Sequence, residues 1–156
     1  VNTGCNLSCT YCYKEDLAVP SAGQKMSFET AVKSFELLLK QAKDRNRVNL
    51  VFFGGEPLSN MPLIRQMVDY AEKRGREVGK EIDFSLTTNA TLLNEKLVDY
   101  LDEHRFGLTV SMDGPKALHD KNRVTVGGRG TYDVVAAKTR MLLSRYRSRP
   151  DGGRVN

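Results

Sequence analysis

The sequence has no apolar run that approaches the roughly eighteen residues of a membrane-spanning helix, and its longest apolar stretch of interest is residues 50–53. It also has no low-complexity segment and no sign of a second domain. Hydrophobic residues make up 40% of the chain and charged residues 28%, which is the composition of an ordinary globular chain with one core. The composition therefore argues against a membrane protein and against a disordered chain.

Cysteine is scarce and confined to one place. Cys5, Cys9 and Cys12 are the only three cysteines, and they lie within eight positions in a CxxxCxxC spacing. Three thiolates on one short loop can each take one iron of a [4Fe–4S] cube, which leaves the fourth iron open to a small molecule. Because clustered unpaired thiols would be oxidised outside a reducing compartment, we expect a cytoplasmic protein.

Two other interpretations of the cysteines stay open. A disulfide would leave one thiol over, and neighbours this close rarely reach the Cα separation and Cβ orientation of a bridge. A structural zinc would need a fourth ligand. The chain has only two histidines, His104 and His119, and their charged neighbours predict solvated helix or loop. A structural iron–sulfur or metal-binding module, with a fourth ligand from the protein, is the competing functional class.

Positive charge is concentrated in the last quarter of the chain. The net charge is +5, but ten Lys or Arg and three Asp from Lys116 onward give this part +7, and the preceding part carries about −2. A nucleic-acid interface would interleave basic residues with aromatic ones. The basic residues instead cluster at a predicted helix end and a glycine-rich exit, at Arg145, Arg147, Arg149 and Arg154. The pattern does not favour nucleic-acid binding.

Apolar segments of strand length alternate with segments of helical period. Segments rich in Val, Ile, Phe or Thr predict strands at 49–53, 82–87 and 107–112. We expect residues 1–2 to end an earlier strand and Val155 to begin a later one. This alternating order predicts an α/β fold with a parallel sheet.

Four helices are predicted between and after these strands. Ser27, Asn94 and Thr131 are expected to cap the first, third and fourth helices, and Pro62 lies in the first turn of the second. The fourth helix is expected to run from Tyr132 to about Arg147. Its residues expected to face the core are Val134, Val135, Met141 and Leu142.

Distinctive polar and glycine-rich runs follow the predicted strands. The cysteine loop follows residues 1–2, the run 54–57 (Gly54, Gly55, Glu56 and Pro57) follows the next strand, and residues 88–89 and 111–115 follow the other two. In barrels of alternating strands and helices, such loops converge on one face, so we expect one pocket to collect all four runs. Paired glycines let backbone groups approach a ligand closely, although they also make plain tight turns.

The cysteine loop followed by the run 54–57 resembles the signature motifs of the radical S-adenosylmethionine (SAM) enzymes. In that family three cysteines hold a [4Fe–4S] cluster, and the SAM amino and carboxylate groups chelate the fourth iron. Tyr11, directly before the third cysteine, corresponds to an aromatic residue that packs against the SAM adenine. The resemblance implies that the backbone and acid of the run 54–57 contact the SAM amino group. It also implies a partial (β/α) TIM-like barrel.

The resemblance implies further SAM contacts at the later strand ends. Ser111 and Asp113 correspond to polar residues that bind the ribose hydroxyls, although a strand-terminating turn explains them equally well. Arg123 corresponds to an arginine near the SAM carboxylate, and the alternative is a solvated surface charge. Asn89 is expected either to line the pocket or to serve as an ordinary turn residue.

The sequence around these motifs resembles that of the SPASM-type branch of the family, which modifies ribosomal peptides and proteins. Residues 87–93, 110–115 and 130–133, together with Arg123, carry this likeness. Residues 2–5 and 12–17 most resemble maturases of quinohemoprotein amine dehydrogenase, which form thioether links. The branch implies a peptide or protein substrate, an external flavodoxin- or ferredoxin-type electron donor and a 5′-deoxyadenosyl radical. A radical SAM enzyme that modifies RNA is the alternative, and it predicts basic residues around the cluster mouth.

The chain begins at Val1 rather than methionine and ends at Asn156. We expect both ends to be cuts within a longer protein, so that residues 1–156 form the N-terminal part of a radical SAM core domain. The first strand would then be clipped. The later strands and the C-terminal region for auxiliary clusters would lie outside this chain.

Overall fold

The computed structural model describes residues 1–12, 23–146 and 155. In this part of the chain the strands are β1 (Arg47–Phe52), β2 (Glu81–Thr88) and β3 (Gly107–Val110). The α-helices are α1 (Phe28–Gln41), α2 (Met61–Val78), α3 (Glu95–Glu103), α4 (Lys116–Asn122) and α5 (Tyr132–Tyr146). A short 3₁₀ helix, Pro57–Asn60, leads from β1 into α2. Across the described residues, none of the helices combines the length and apolar character needed to cross a membrane.

The three strands form a parallel sheet in the order β1-β2-β3. Helix α2 connects β1 to β2, and α3 connects β2 to β3. Parallel neighbours need such crossovers, and strands that follow one another in order build a barrel wall. The predicted α/β fold with a parallel sheet is therefore confirmed, and each strand end lies within two residues of its predicted position.

Local capping explains where the helices begin and end. The Ser27 hydroxyl accepts a hydrogen bond from the Thr30 N–H at 3.1 Å, and the Asn94 side chain accepts one from the Leu97 N–H at 3.0 Å. Both predicted caps are confirmed, and each satisfies an N–H that the helix itself leaves unpaired. Helix α2 ends at Gly79, whose φ of 65° lies in the left-handed region that glycine adopts without strain.

Three stacked phenylalanines occupy the core on one face of the sheet. The ring centroids of Phe52, Phe84 and Phe106 lie 5.3–6.4 Å apart with interplanar angles of 21–26°. On the opposite face, the Asn49 side chain donates to the Ser85 hydroxyl at 3.1 Å in an exposed position. The alternation of apolar and polar residues along β1 and β2 thus gives the sheet one buried and one polar face.

Two predicted strand remnants form single bridges only. Asn2 makes an antiparallel bridge to Lys25, and the expected strand end at residues 1–2 stays a prediction. The Asn2 carbonyl is occupied by the Gly55 N–H at 2.9 Å. Val155 makes a parallel bridge to Leu108, on the open side of β3 where a further strand would join.

The start of α5 differs from the prediction. The Tyr132 N–H donates to the Asp120 carboxylate at 2.8 Å, so a residue of α4 provides this cap, and the hydroxyl of Thr131 has other partners. Val134 is 48% exposed, which corrects its predicted burial, because it lies on the outward side of the first turn. Val135 and Leu142 are buried as predicted, and Arg147 lies outside the described residues.

We expect Phe106→Ala to lower the free energy of unfolding by roughly 3–5 kcal/mol, because the substitution removes a fully buried ring from the aromatic stack. Urea unfolding of the full-length protein measures this change. The control is Leu37→Ala on α1, where the side chain is 55% exposed and the expected change is within about 0.5 kcal/mol. Equal effects of the two substitutions would contradict the assigned core.

Candidate cofactor-binding site

The cysteine loop is held by the last residue of α4 and by the segment that follows it. The Ser8 N–H donates to the Val124 carbonyl at 2.9 Å, and the Thr10 N–H donates to the Asn122 carbonyl at 2.9 Å. Within the loop, the Cys12 N–H donates to the Cys9 carbonyl at 3.0 Å and forms a tight turn. These backbone bonds fix the direction of the loop independently of its side chains.

Asn89 ties the other side of the loop to the end of β2. Its amide nitrogen donates to the Asn6 side chain at 2.9 Å and lies 3.7 Å from the Cys5 sulfur. Its amide oxygen accepts from the Thr91 N–H at 3.0 Å. Hydrogen bonds to a ligating sulfur are one of the factors that set the reduction potential of an iron–sulfur cluster. Asn89 thus serves as a turn residue and also contacts the cysteine loop, and its contact with SAM stays a prediction.

All three cysteines have free thiols, and no disulfide joins them. Cys5 is exposed, whereas Cys9 and Cys12 are partly buried. Burial raises the pKa of the Cys9 thiol, Arg123 opposes this rise, and the other two cysteines add to it. The three thiols therefore share one electrostatic neighbourhood.

The donor set fits a cluster better than a single structural metal ion. The thiolates of a cube bind different irons, whereas ligands of one zinc ion all lie about 2.3 Å from the same centre. In the described part of the chain, no three His, Cys, Asp or Glu side chains are grouped closely enough to hold one metal ion. The family's [4Fe–4S] cluster would take its three thiolates from Cys5, Cys9 and Cys12.

Neither histidine lies where a zinc site at the cysteines would need it. His104 pairs with the Glu72 carboxylate at 2.8 Å. His119 is fully buried on α4 and contacts the Thr131 hydroxyl and the Asp113 backbone. The prediction that His119 is solvated is therefore wrong, because α4 turns this side chain inward.

Gly54 and Gly55 form a turn, here called the diglycine turn, that packs against residues 2–4, which lead into the cysteine loop. A Cβ atom on Gly55 would lie 1.9 Å from the Gly4 carbonyl oxygen, and one on Gly54 would lie 2.4 Å from the Asn2 carbonyl oxygen. The Glu56 N–H also donates to the Gly4 carbonyl at 3.0 Å. The absence of side chains at Gly54 and Gly55 therefore allows the backbone of residues 2–4 to pack closely against this turn.

The Glu56 carboxylate is fully buried and directed into the protein. It accepts hydrogen bonds from the Leu58 N–H at 3.0 Å, the Thr88 hydroxyl at 2.8 Å and the Asn89 N–H at 2.8 Å. Burial raises the pKa of Glu56, and these three hydrogen bonds oppose the rise. The acid joins the end of β1 to the end of β2, and Pro57 beside it is also buried.

A polar cluster joins the cysteine loop to the end of β3. The Tyr11 hydroxyl lies 2.7 and 2.8 Å from the two carboxylate oxygens of Asp113, and the Arg123 Nε–H donates to the same carboxylate at 2.7 Å. The Arg123 guanidinium also lies 5.3 Å from the centroid of the Tyr11 ring, within the range of a cation–π contact. Arg123 is therefore not a freely solvated surface charge.

The electrostatics of this cluster favour one ionisation state. Burial opposes ionisation of Asp113, but the hydrogen bonds from Tyr11 and Arg123 outweigh it and hold its pKa below the ordinary value. Burial and the hydrogen bond to Asp113 raise the pKa of Tyr11 to about 12. Asp113 is thus the anion of the cluster, Arg123 the cation and Tyr11 a neutral donor.

The four runs predicted to share one pocket meet at the carboxyl end of the sheet. Asn89 contacts Cys5, Tyr11 contacts Asp113, and the Ser111 N–H donates to the Thr88 carbonyl at 2.9 Å. No sequence pattern predicted a site role for His119. It lies four residues before Arg123, the residue that follows α4, and its carbonyl accepts a hydrogen bond from the Arg123 N–H at 2.7 Å.

The family is shown by comparison with known proteins. The family model for the Radical SAM superfamily matches residues 1–148, and the chain belongs to this superfamily of enzymes. The open, parallel α/β arrangement is that of the partial radical SAM barrel. SAM and the [4Fe–4S] cluster are the cofactors of this family.

Three relatives illustrate the branch. The chain is 35% identical over 114 residues to an uncharacterised protein of Methanocaldococcus jannaschii. This alignment covers 73% of this chain and 37% of that protein. The chain is 32% identical over 151 residues to the cysteine-type anaerobic sulfatase-maturating enzyme of Clostridium perfringens. This alignment covers 94% of this chain and 40% of that enzyme. The solved structure of native anSMEcpe with bound AdoMet (SAM) and the Cp18Cys peptide matches with a TM-score of 0.81 and 28% identity, over 99% of this chain and 39% of that chain. The chain thus spans about two fifths of the length of these relatives.

We expect Glu56→Gln to destabilise the fold by about 1–3 kcal/mol, because both carboxylate oxygens accept hydrogen bonds. An amide NH₂ in either orientation would face an N–H donor, from Leu58 or from Asn89. Chemical denaturation measures the loss, with Glu103→Gln at an exposed position of α3 as the matched control. Unchanged stability of Glu56→Gln would show that the carboxylate does not join the two strand ends.

Proposed function

We propose that residues 1–156 form the N-terminal part of a radical SAM core that binds a [4Fe–4S] cluster and SAM and modifies a peptide or protein. The observation that carries the proposal is the fixed position of the three-thiol loop, between Asn89 on one side and the Asn122–Val124 backbone on the other. The later strands and an auxiliary-cluster region would lie beyond this chain. The extent of the relatives supports this division.

Cys5, Cys9 and Cys12 would hold the cluster, and the diglycine turn fixes the backbone beside them. When bound, the cluster and SAM supply reductive cleavage of the SAM C5′–S bond, which yields a 5′-deoxyadenosyl radical that takes a hydrogen atom from the substrate. An external one-electron donor of the flavodoxin or ferredoxin type would supply the electron. Because the Glu56 carboxylate is turned inward, the backbone groups of residues 54–57, and not this side chain, would contact SAM.

The polar cluster is suited to bind the two ends of SAM. Arg123 uses its Nε–H for Asp113, and in the described residues no hydrogen bond occupies its two terminal nitrogens. These nitrogens form a fork that matches a carboxylate. The Asp113 carboxylate would accept hydrogen bonds from the ribose hydroxyls, and the nearby Ser111 hydroxyl would donate to them or accept from them. The exposed ring of Tyr11 would pack against the adenine.

Two lines support a peptide or protein as the substrate. The Clostridium perfringens relative is a sulfatase-maturating enzyme, and the solved neighbour contains a bound peptide. The resemblance of residues 2–5 to thioether-forming maturases makes thioether crosslinking the specific reaction that we propose. In the cluster of four arginines at 145, 147, 149 and 154, Arg145 pairs with Asp99, which argues against an RNA-binding role for this residue.

We expect replacement of Cys5, Cys9 or Cys12 by alanine to abolish both the cluster absorbance and SAM cleavage in the anaerobically reconstituted full-length protein, because each thiolate holds a different iron. Chromatographic detection of 5′-deoxyadenosine measures the cleavage. Thr10→Ser, in the same loop, is the control and should retain both properties.

The outcome separates the competing functions. An alanine variant that cleaves SAM at the wild-type rate would refute the cluster assignment. A wild-type protein that assembles the cluster but forms no 5′-deoxyadenosine would favour a structural iron–sulfur module. SAM cleavage that is stimulated by RNA and not by peptides would favour RNA modification.

We expect Arg123→Lys to weaken SAM binding by about tenfold, the equivalent of one hydrogen bond to a charged group. A lysine ammonium can still pair with Asp113, but it cannot form a planar fork on the SAM carboxylate as well. Equilibrium binding to the cluster-loaded protein measures the dissociation constant. Arg129→Lys, at an exposed position of the adjoining turn, should leave it unchanged, and equal affinities of wild type and Arg123→Lys would contradict the assigned role.

A further inference from the structure

His119 is a buried titratable group that the proposed function does not use. Its ring is completely shielded from solvent. The Nε2 atom lies 3.1 Å from the Thr131 hydroxyl oxygen, and the Nδ1 atom lies 3.4 Å from the backbone nitrogen of Asp113. The backbone of the same residue also participates, because the His119 carbonyl accepts from the Arg123 N–H at 2.7 Å.

The neighbours of the ring determine its tautomer. The Thr131 hydroxyl donates its single proton to the Arg123 carbonyl at 2.7 Å, so it can only accept at His119 Nε2. Nε2 therefore carries the hydrogen. Nδ1 has the lone pair, which accepts from the Asp113 N–H. The neutral Nε2–H ring satisfies both neighbours.

This ring connects the two residues that form the ion pair of the site. Through Nδ1 it holds the Asp113 backbone, and through Thr131 it holds the backbone of Arg123. The side chains of the same two residues meet at 2.7 Å. The ion pair is thus supported at both ends by one imidazole.

We propose that His119, as the neutral Nε2–H tautomer, is a positioning residue that orients Asp113 and Arg123 for SAM and makes SAM affinity dependent on pH. The inference rests on the proposed function, since it assigns SAM to this ion pair. His119 touches neither cofactor and acts through Asp113, Thr131 and Arg123.

Protonation would disrupt this arrangement. A charged imidazole donates from both nitrogens, so Nδ1–H would face the Asp113 N–H. The groups around the ring are the Asp113 and Asp120 carboxylates, the Arg123 guanidinium and the Tyr132 ring, which lies 5.7 Å away edge to face. Burial lowers the pKa of His119 below its ordinary value of 6.5, Arg123 lowers it further, and the two aspartates oppose the shift.

The sign of the pH effect follows from this lowered pKa. The unfolded chain binds a proton at a higher pH than the folded chain does, so stability falls as the pH drops from the unfolded pKa towards the folded one. SAM affinity of the folded protein falls at a lower pH, as His119 itself becomes charged. Both effects vanish when the residue at this position cannot titrate.

The experiment compares the wild type with His119→Asn, His119→Gln and the control His104→Asn. The asparagine amide lies near the position of Nδ1 and can still accept from Asp113, whereas the glutamine amide reaches towards Thr131. His104 is the other histidine of the chain and pairs with Glu72 instead. SAM dissociation constants of the cluster-loaded full-length protein are measured between about pH 7.5 and pH 4.5, a range that extends well below the ordinary pKa of histidine because burial lowers the pKa of His119.

We expect the wild type and His104→Asn to bind SAM about tenfold more weakly at the acid end of this range, as for the loss of one hydrogen bond. Both His119 variants should show the weaker affinity at all pH values. In the cluster-free protein, the midpoint temperature of thermal unfolding should decrease as the pH is lowered. This decrease should be steeper in the wild type than in the His119 variants. ¹⁵N resonances of the wild-type ring should show the Nε2–H tautomer at neutral pH, and this measurement needs no variant.

A ring that carries its proton on Nδ1, or a wild-type SAM affinity that is independent of pH in this range, would overturn the inference. So would His119 variants that bind SAM with wild-type affinity. A cluster-loaded wild type that binds no SAM at any pH, while the ring tautomer is as described, would instead contradict the proposed function and the positioning role that rests on it.

Discussion

The buried carboxylate of Glu56 is the interaction on which the site depends. It receives hydrogen bonds from Thr88 and Asn89 at the end of β2 and from Leu58 beyond the end of β1. Three hydrogen bonds offset the cost of removing a carboxylate from water, and the low polarity of the surroundings strengthens each of them. The same carboxylate thereby fixes the Asn89 backbone, whose side chain contacts the cysteine loop. The positions of the sheet and of the thiols are coupled through one acid.

A second constraint spans about two thirds of the chain. Tyr11 and Asp113 are 102 residues apart in sequence, and their hydrogen bond brings the cysteine loop to the end of β3. Arg123 joins the same carboxylate, and the segment after α4 provides backbone carbonyls to the loop. The residues proposed to hold the cluster and those proposed to hold SAM therefore lie on one connected hydrogen-bonded surface. This connection fixes the loop of three thiols relative to the end of β3.

The structural features that the sequence predicted are those with a local physical cause. The alternation of residues in β1 to β3 and the side-chain caps at Ser27 and Asn94 depend on neighbours within a few positions. The inward direction of Glu56, the burial of His119 and the cap that Asp120 provides for α5 depend on contacts between distant elements. The sequence predicted a SAM contact for Glu56, a solvated position for His119 and Thr131 as the cap of α5. Resemblance to the family correctly indicated the fold, and it could not indicate which polar groups are used within the protein.

The central claim is that the cysteine loop holds a cluster with one iron open to SAM. The most direct measurement is electron paramagnetic resonance of the anaerobically reconstituted, reduced full-length protein, recorded with and without SAM. The account predicts that SAM changes the spectrum of the cluster, because its amino and carboxylate groups bind the iron that lacks a protein ligand. A cluster spectrum that saturating SAM leaves unchanged would contradict it.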